Sequence, residues 1–74
     1  MLIYVRNAAD ELQIKDILDI NFDMKVKLEN NKYVVCLNRQ YTLDEKFNTK
    51  KEAEDAMMQI ADSRNNLEIE LKNW

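Results

Sequence analysis

The segment 24–37, MKVKLENNKYVVCL, determines the fold of this chain. Apolar and charged residues alternate before the central pair Asn30-Asn31. After this pair, Tyr33, Val35 and Leu37 share one face and Val34 and Cys36 lie on the other, so the second strand is predicted to be a central one, covered on both faces. A two-residue loop at this pair places residue 28 opposite 33, 26 opposite 35 and 24 opposite 37. Each pair then joins two apolar residues on one face, so the turn and the alternation specify the same register. The sequence therefore predicts an antiparallel hairpin.

Further strands are predicted on both sides of the hairpin. The alternation reaches back from Met24 to Leu18, which is long for one strand, so we expect a bend or bulge at 21–23. Residues 2–6 predict a short strand, and 41–47 predict another. Residues 8–18 are compatible with an amphipathic helix or with a strand, and their isoleucines favour the strand.

An amphipathic helix is predicted over 49–64. Thr49 and Glu52 match a capping box, in which both side chains satisfy free backbone N–H groups of the first turn. Apolar residues then recur at the spacing of one helical face. They are Ala53, Ala56, Met57, Ile60 and Ala61. The pair Asn65-Asn66 is the expected C-terminal cap, and the alternation over 67–71 predicts a final strand.

These elements predict an α+β fold in a single domain, 1–74. An antiparallel sheet of four to six strands, mostly in meander order, packs one face against the helix at 49–64 and includes the C-terminal strand. The predicted core consists of Ile20, Phe22, Val26, Leu28, Val35, Leu37, Met57, Ile60 and Ile69.

The composition argues against an enzyme. The 74 residues include no glycine, proline or histidine. Phosphate-binding loops need glycine, and proton transfer near neutral pH and most zinc sites depend on histidine. The single cysteine, Cys36, lies among apolar residues, so we expect a buried core thiol without a base to activate it. The sequence predicts no catalytic residue, no metal and no cofactor.

Charge and hydropathy limit the partners. Eleven basic and 14 acidic residues give a net charge of −3, which disfavours direct nucleic-acid binding. No apolar run approaches the roughly 20 residues of a membrane span, and no basic segment followed by a long apolar run marks a signal peptide. We therefore expect a cytoplasmic protein without membrane contact.

The strands over 18–47, the Thr49-x-x-Glu52-Ala53 helix start and the last strand resemble small uncharacterised proteins encoded by phages and prophages of low-GC Gram-positive bacteria. The resemblance implies a mobile-element context. In that context, short acidic proteins often bind and inhibit a host defence protein such as a CRISPR nuclease. The resemblance carries no catalytic residues.

The leading functional prediction is a non-enzymatic protein-binding module that offers acidic side chains to a basic host protein, such as one that binds nucleic acid. The predicted partner-binding residues are Asp10, Glu11, Asp16, Asp19, Asp23 and Trp74. The plainer interpretation of the carboxylates is a solvated surface. One alternative function is a homo-oligomer formed through an exposed strand edge and Trp74. Another is a nucleotide-binding protein that uses Arg6, Arg39 and tyrosines between subunits.

Overall fold

The computed structural model of the chain describes residues 1–19 and 23–72, except for the side chains of 67–72. This part of the chain contains five strands and one helix. They are β1 (Leu2–Arg6), β2 (Leu12–Asp16), β3 (Met24–Glu29), β4 (Lys32–Leu37), β5 (Tyr41–Leu43) and α1 (Lys50–Lys72). The strand predicted at 2–6 is thereby confirmed, and the ambiguous segment 8–18 contains a strand.

The strands form one antiparallel sheet in the order β2-β1-β5-β4-β3. β1 and β2 form a hairpin, and β3, β4 and β5 follow one another as a meander. The two groups join where Val5 lies opposite Leu43. α1 packs on one face of the sheet. The predicted α+β class, with an antiparallel sheet and one covering helix, is confirmed.

The central hairpin has the predicted register, in which Val26 lies opposite Val35. Its turn residues have φ angles of 50° at Asn30 and 62° at Asn31. Both angles lie in the left-handed region, which matches the right-handed twist of hairpin strands. Asparagine is the best substitute for glycine there, because its short polar side chain tolerates this conformation. β3 begins at Met24, and most of the predicted bend lies outside the described residues.

α1 begins where the capping pattern predicts. The backbone N–H of Glu52 donates to Thr49 Oγ1 over 3.2 Å, which satisfies one free group of the first turn. The predicted end at 64 and the C-terminal strand over 67–71 are not confirmed, because α1 continues to Lys72. Leucine, glutamate and lysine are strong helix formers, and an asparagine pair inside a helix costs only tenths of a kcal/mol per residue.

The core lies between the sheet and α1. Its buried residues are Ile3, Val5, Ile17, Val35, Leu37, Leu43, Ala53 and Ile60, and Met24, Val26, Tyr33, Tyr41, Phe47 and Met57 pack against them. The prediction was correct for Val35, Leu37 and Ile60, and nearly so for the half-buried Val26 and Met57.

The structure contradicts the predicted burial of Leu28 in the core. Its side chain is 59% exposed. β3 is an edge strand and Leu28 lies beside the turn, so neighbours cover it on one side only. Ile20, Phe22 and the side chain of Ile69 lie outside the described residues.

Candidate functional site: the open face of the sheet

The face of the sheet opposite α1 is here named the open face. In β1, Ile3 and Val5 are buried toward α1, so Leu2, Tyr4 and Arg6 point to the open face. Residues directly opposite each other in a ladder share a face. The pairings therefore extend the open face across the other strands. Its members there are Leu12, Ile14, Asp16, Lys25, Lys27, Glu29, Lys32, Val34, Cys36 and Thr42.

Four large apolar side chains of this face are exposed, and together they are named the apolar patch. They are Leu2 (65% exposed), Tyr4 (59%), Leu12 (52%) and Ile14 (58%). Tyr4 lies opposite Ile14. Leu2 lies diagonally across from Ile14, and Leu12 lies diagonally across from Tyr4. A single exposed apolar residue is ordinary, whereas several adjacent ones on one face mark an interaction surface.

The other half of the open face is basic. An open groove of about 400 Å³, named the cationic groove, crosses β3, β4 and β5. Its charged lining residues are Arg6, Lys25, Lys27, Arg39 and Glu29. Four of these five residues are cations, although the whole chain carries a net charge of −3. Arg6 is paired with Asp44 and Arg39 lies 3.6 Å from Asp23, so the charge of the groove rests mainly on Lys25 and Lys27.

Cys36 also lines this groove, which corrects the prediction of a buried core thiol. Its side chain is half-buried on the open face, because it alternates with the buried Val35 and Leu37 along β4. Val34, on the same face, is buried. β4 is therefore an interior strand with one core face and one partly covered face, as its apolar sequence predicts.

Arg6 lies at the junction of the apolar patch and the cationic groove, opposite Leu12 on one side and Thr42 on the other. Its Nε donates to Asp44 Oδ1 over 2.7 Å, and its Nη1 donates to the carbonyl oxygen of Asp10 over 2.9 Å. The hydrogen bond to Asp44 raises the pKa of the Arg6 guanidinium above its ordinary value. The side chain is thus a permanently charged, anchored part of the face.

The turn between β1 and β2 is held by Asn7. Its Oδ1 accepts hydrogen bonds from the backbone N–H groups of Ala9 and Glu11, each over 3.0 Å. Its Nδ2 donates to Glu11 Oε1 over 3.1 Å. Such a turn often contains glycine. Here the hydrogen bonds of Asn7 hold the turn instead, and Asp10 takes the left-handed conformation with φ of 60°. The patch therefore lies on a hairpin with a well-defined turn.

The predicted acidic site residues lie in three places. Asp10 and Glu11 belong to the β1–β2 turn, whereas Asp16 and Asp19 lie at the far end of β2, about 20 Å away at 3.3 Å per residue. Asp23 lies next to the opposite edge strand, β3. Trp74 lies outside the described residues.

Several of these carboxylates have partners within the chain. Asp10 Oδ1 lies 3.9 Å from Arg6 Nη1, and Asp23 Oδ2 lies 3.6 Å from Arg39 Nε. Asp16 Oδ1 accepts the backbone N–H of Leu18 over 3.1 Å and lies 3.8 Å from the N-terminal amine. The structure thus brings Asp10 close to Glu11 and Asp16 close to Asp19, but it does not unite the acidic residues in one surface.

The apolar patch was not predicted from the sequence, although β1 carries a signal for it. β1 reads LIYVR, with apolar residues at both parities. A strand with only one core face alternates apolar and polar residues, so this double-sided pattern was a signal of a second apolar surface. The basic side of β3 was also evident from the sequence, because Lys25 and Lys27 are two residues apart and therefore point to the same face of the strand.

The described residues support neither a metal site nor a membrane-spanning helix. Within 1–19 and 23–66, cysteine, aspartate and glutamate side chains form no group of three that could hold a metal ion. Over 1–19 and 23–72, no helix is both long and apolar enough to span a membrane. No family model, curated protein or solved structure matches the chain.

Proposed function

We propose that this chain is a protein-binding module without enzymatic activity and that it engages its partner through the open face. The apolar patch is the observation that carries the proposal. A domain of 74 residues has little apolar surface to spare for its core, yet four large side chains stay exposed on one hairpin. Burying a fully exposed apolar side chain contributes about 1.5–3 kcal/mol, and each of these four, which are 52–65% exposed, contributes roughly half of that.

The charges on the other half of the open face define the chemistry of the partner. Lys25 and Lys27 lie on β3, separated from the apolar patch by β5 and β4, and Arg6 joins the two halves of the face. A complementary surface presents apolar side chains flanked by carboxylates. This differs from the sequence-based hypothesis of an acidic site for a basic partner. The open face receives more support, because the acidic residues are dispersed and several are paired within the chain.

The patch is tested with a double variant, Leu2→Ser/Tyr4→Thr. A stoichiometric protein captured by the wild-type chain from a lysate of a low-GC Gram-positive bacterium is purified, and its affinity for each variant is measured by titration calorimetry. We expect the patch variant to raise Kd by at least about tenfold, because truncating central apolar residues of an interface costs 1 kcal/mol or more each.

The matched control is Leu28→Ser/Met58→Ser. These two side chains are each 59% exposed, but they lie outside the patch. The control variant is expected to bind as the wild type does. A folded patch variant with unchanged Kd would exclude the apolar patch as the binding site.

A second function, binding of a small anionic ligand, is favoured by one observation. Arg6, Arg39 and Tyr41, residue types named in the nucleotide hypothesis, line the cationic groove together. We expect millimolar nucleotide to raise the Tm of the wild-type chain and to leave that of Lys25→Gln/Lys27→Gln unchanged. Equal behaviour of the two chains across a nucleotide panel would reject this function.

The narrower proposal, a phage or mobile-element inhibitor of a host defence protein, is supported by the sequence resemblance alone. It adds a class of partner to the protein-binding function and does not alter the site. The identity of the captured protein decides it. A nuclease or another defence protein would support the inhibitor function, and a housekeeping protein would reject it.

A further inference from the structure

We propose that two copies of this chain pair along β2, with the two-fold axis at Gln13, to form one continuous sheet. β2 is the outermost strand in the sheet order, so one side of its backbone has no strand partner within the described residues. Such an edge can accept another strand. The inference depends on this edge and does not depend on the proposed partner binding.

The hydrogen bonds of the β1–β2 hairpin show which backbone groups face the edge. Asn7 N–H donates to the Glu11 carbonyl, and Ile17 N–H donates to the Met1 carbonyl. Hydrogen-bonded pairs alternate with non-hydrogen-bonded pairs in an antiparallel ladder. The N–H and C=O groups of Leu12, Ile14 and Asp16 therefore point away from β1, toward the open edge.

The side chains favour one register. In the new ladder, a residue whose backbone groups point outward must lie opposite an outward-pointing residue of the partner. The two-fold axis therefore passes beside one residue of β2 and its copy in the partner, and not between two successive residues. With the axis at Gln13, Leu12 lies opposite the partner's Ile14. The axis at Ile14 would instead place Leu12 against the partner's Asp16, and the axis at Lys15 would oppose two lysines. An axis at Leu12 or at Ile14 leaves one of these two residues opposite an aspartate, so only the Gln13 register places both of them opposite apolar residues on the open face.

The face toward α1 favours the same register. Glu11 lies opposite the partner's Lys15, and the two-fold axis repeats this opposite-charge pair. The two Gln13 side chains then face each other. Gln13 Oε1 is a buried atom that has no hydrogen-bond partner among the described residues. A side-chain amide carries both a donor and an acceptor, so the two glutamines can pair once Gln13 Oε1 turns from its buried position toward the edge.

The register has one unfavourable kind of pair, Asp16 opposite the partner's Asp10, and the two-fold axis repeats this pair as well. Each carboxylate already lies near a positive charge, the N-terminal amine for Asp16 and Arg6 for Asp10. Lys15 Nζ lies 5.4 Å from the centroid of the Tyr41 ring, and Glu11 accepts a hydrogen bond from Asn7. Both are surface contacts that are weak enough to be replaced by the ion pair between the two copies.

Among the described residues, α1 makes no backbone contact with β1 or β2 that would obstruct the shared edge. An axis perpendicular to the sheet keeps both open faces on one side, and α1 packs against β3 and β4, away from the shared edge. The two apolar patches then join across the axis into one surface. Because the paired segment is short, it buries less area than a standard interface, and we expect a micromolar rather than nanomolar Kd.

Sedimentation equilibrium tests the dimer over a concentration series that reaches the millimolar range. We expect the wild-type mass to rise from 8.9 kDa toward twice that value. Leu2→Ser/Tyr4→Thr, whose changes lie on β1, is expected to associate as the wild type does, so failure of partner binding and failure of dimerisation are distinguishable. A mass that stays at 8.9 kDa throughout overturns the proposal.

Charge exchange tests the register. Glu11→Lys alone and Lys15→Glu alone each oppose like charges, and each is expected to weaken association by about fivefold or more for the two disrupted pairs. An equimolar mixture of these two variants restores both opposite-charge pairs and should associate as the wild type does, as should the double variant Glu11→Lys/Lys15→Glu. Association that responds to neither exchange overturns the Gln13 register.

Discussion

Leu37→Ala is expected to lower the free energy of unfolding by about 2–5 kcal/mol. Leu37 ends β4 and is 1% exposed, with Met24 opposite on one neighbouring strand and Tyr41 opposite on the other. Removing its branched end leaves a cavity that the surrounding strands cannot close. Because a whole domain is stable by only about 5–15 kcal/mol, this loss is a large share of the total.

The measurement is urea unfolding followed by far-ultraviolet circular dichroism. Leu28→Ala is the matched control, since Leu28 lies in the same hairpin but is 59% exposed. We expect this control to change the free energy of unfolding by less than about 1 kcal/mol. Equal losses in the two variants would contradict the burial that the structure assigns to this hairpin.

These two leucines also show how far the sequence alone could go. They have the same parity in the hairpin, and the alternation correctly placed both on the face toward α1. Alternation specifies a face, but it does not specify how far along that face the covering helix reaches. Burial of Leu37 and exposure of Leu28 depend on the order of the strands, which is a property of the whole sheet.

The contribution of β1 to the core was missed for a related reason. The strand at 2–6 was predicted, but Val5 lies opposite Leu43 through a pairing between distant parts of the chain. Neither segment carries a local signal for that contact. The same contact brings Arg6 beside Thr42 and thereby joins the apolar patch to the cationic groove. The candidate site therefore required the three-dimensional structure.

The end of α1 illustrates a different limit. The segment 67–71 alternates apolar and charged residues, and so short a run does not distinguish a strand from a helix. Asn65 and Asn66 were predicted to cap the helix, but neither has the left-handed φ angle that the structure records at Asn30 and Asn31. Adding residues to an existing helix costs little free energy, whereas a new strand is stable only when it pairs with another strand.

The left-handed turn at Asn30-Asn31 leads to the second prediction of large effect. Asn30→Val/Asn31→Val is expected to lower the free energy of unfolding by about 2–4 kcal/mol, because a left-handed φ costs most residues about 1–2 kcal/mol, a β-branched residue more and asparagine less. Asn31→Gly is the control. It creates the Asn-Gly pair that this turn prefers and should leave stability equal or up to about 1 kcal/mol higher.

The same turn determines which side chains reach the open face. A one-residue slip of β3 against β4 would exchange Lys25 and Lys27 for Met24 and Val26 on that face. Loss of stability in the valine variant, together with altered amide exchange along β3, would show that the left-handed turn maintains the register. An unchanged unfolding midpoint would mean instead that packing of Val26 against Val35 suffices, and that the cationic groove does not depend on the turn.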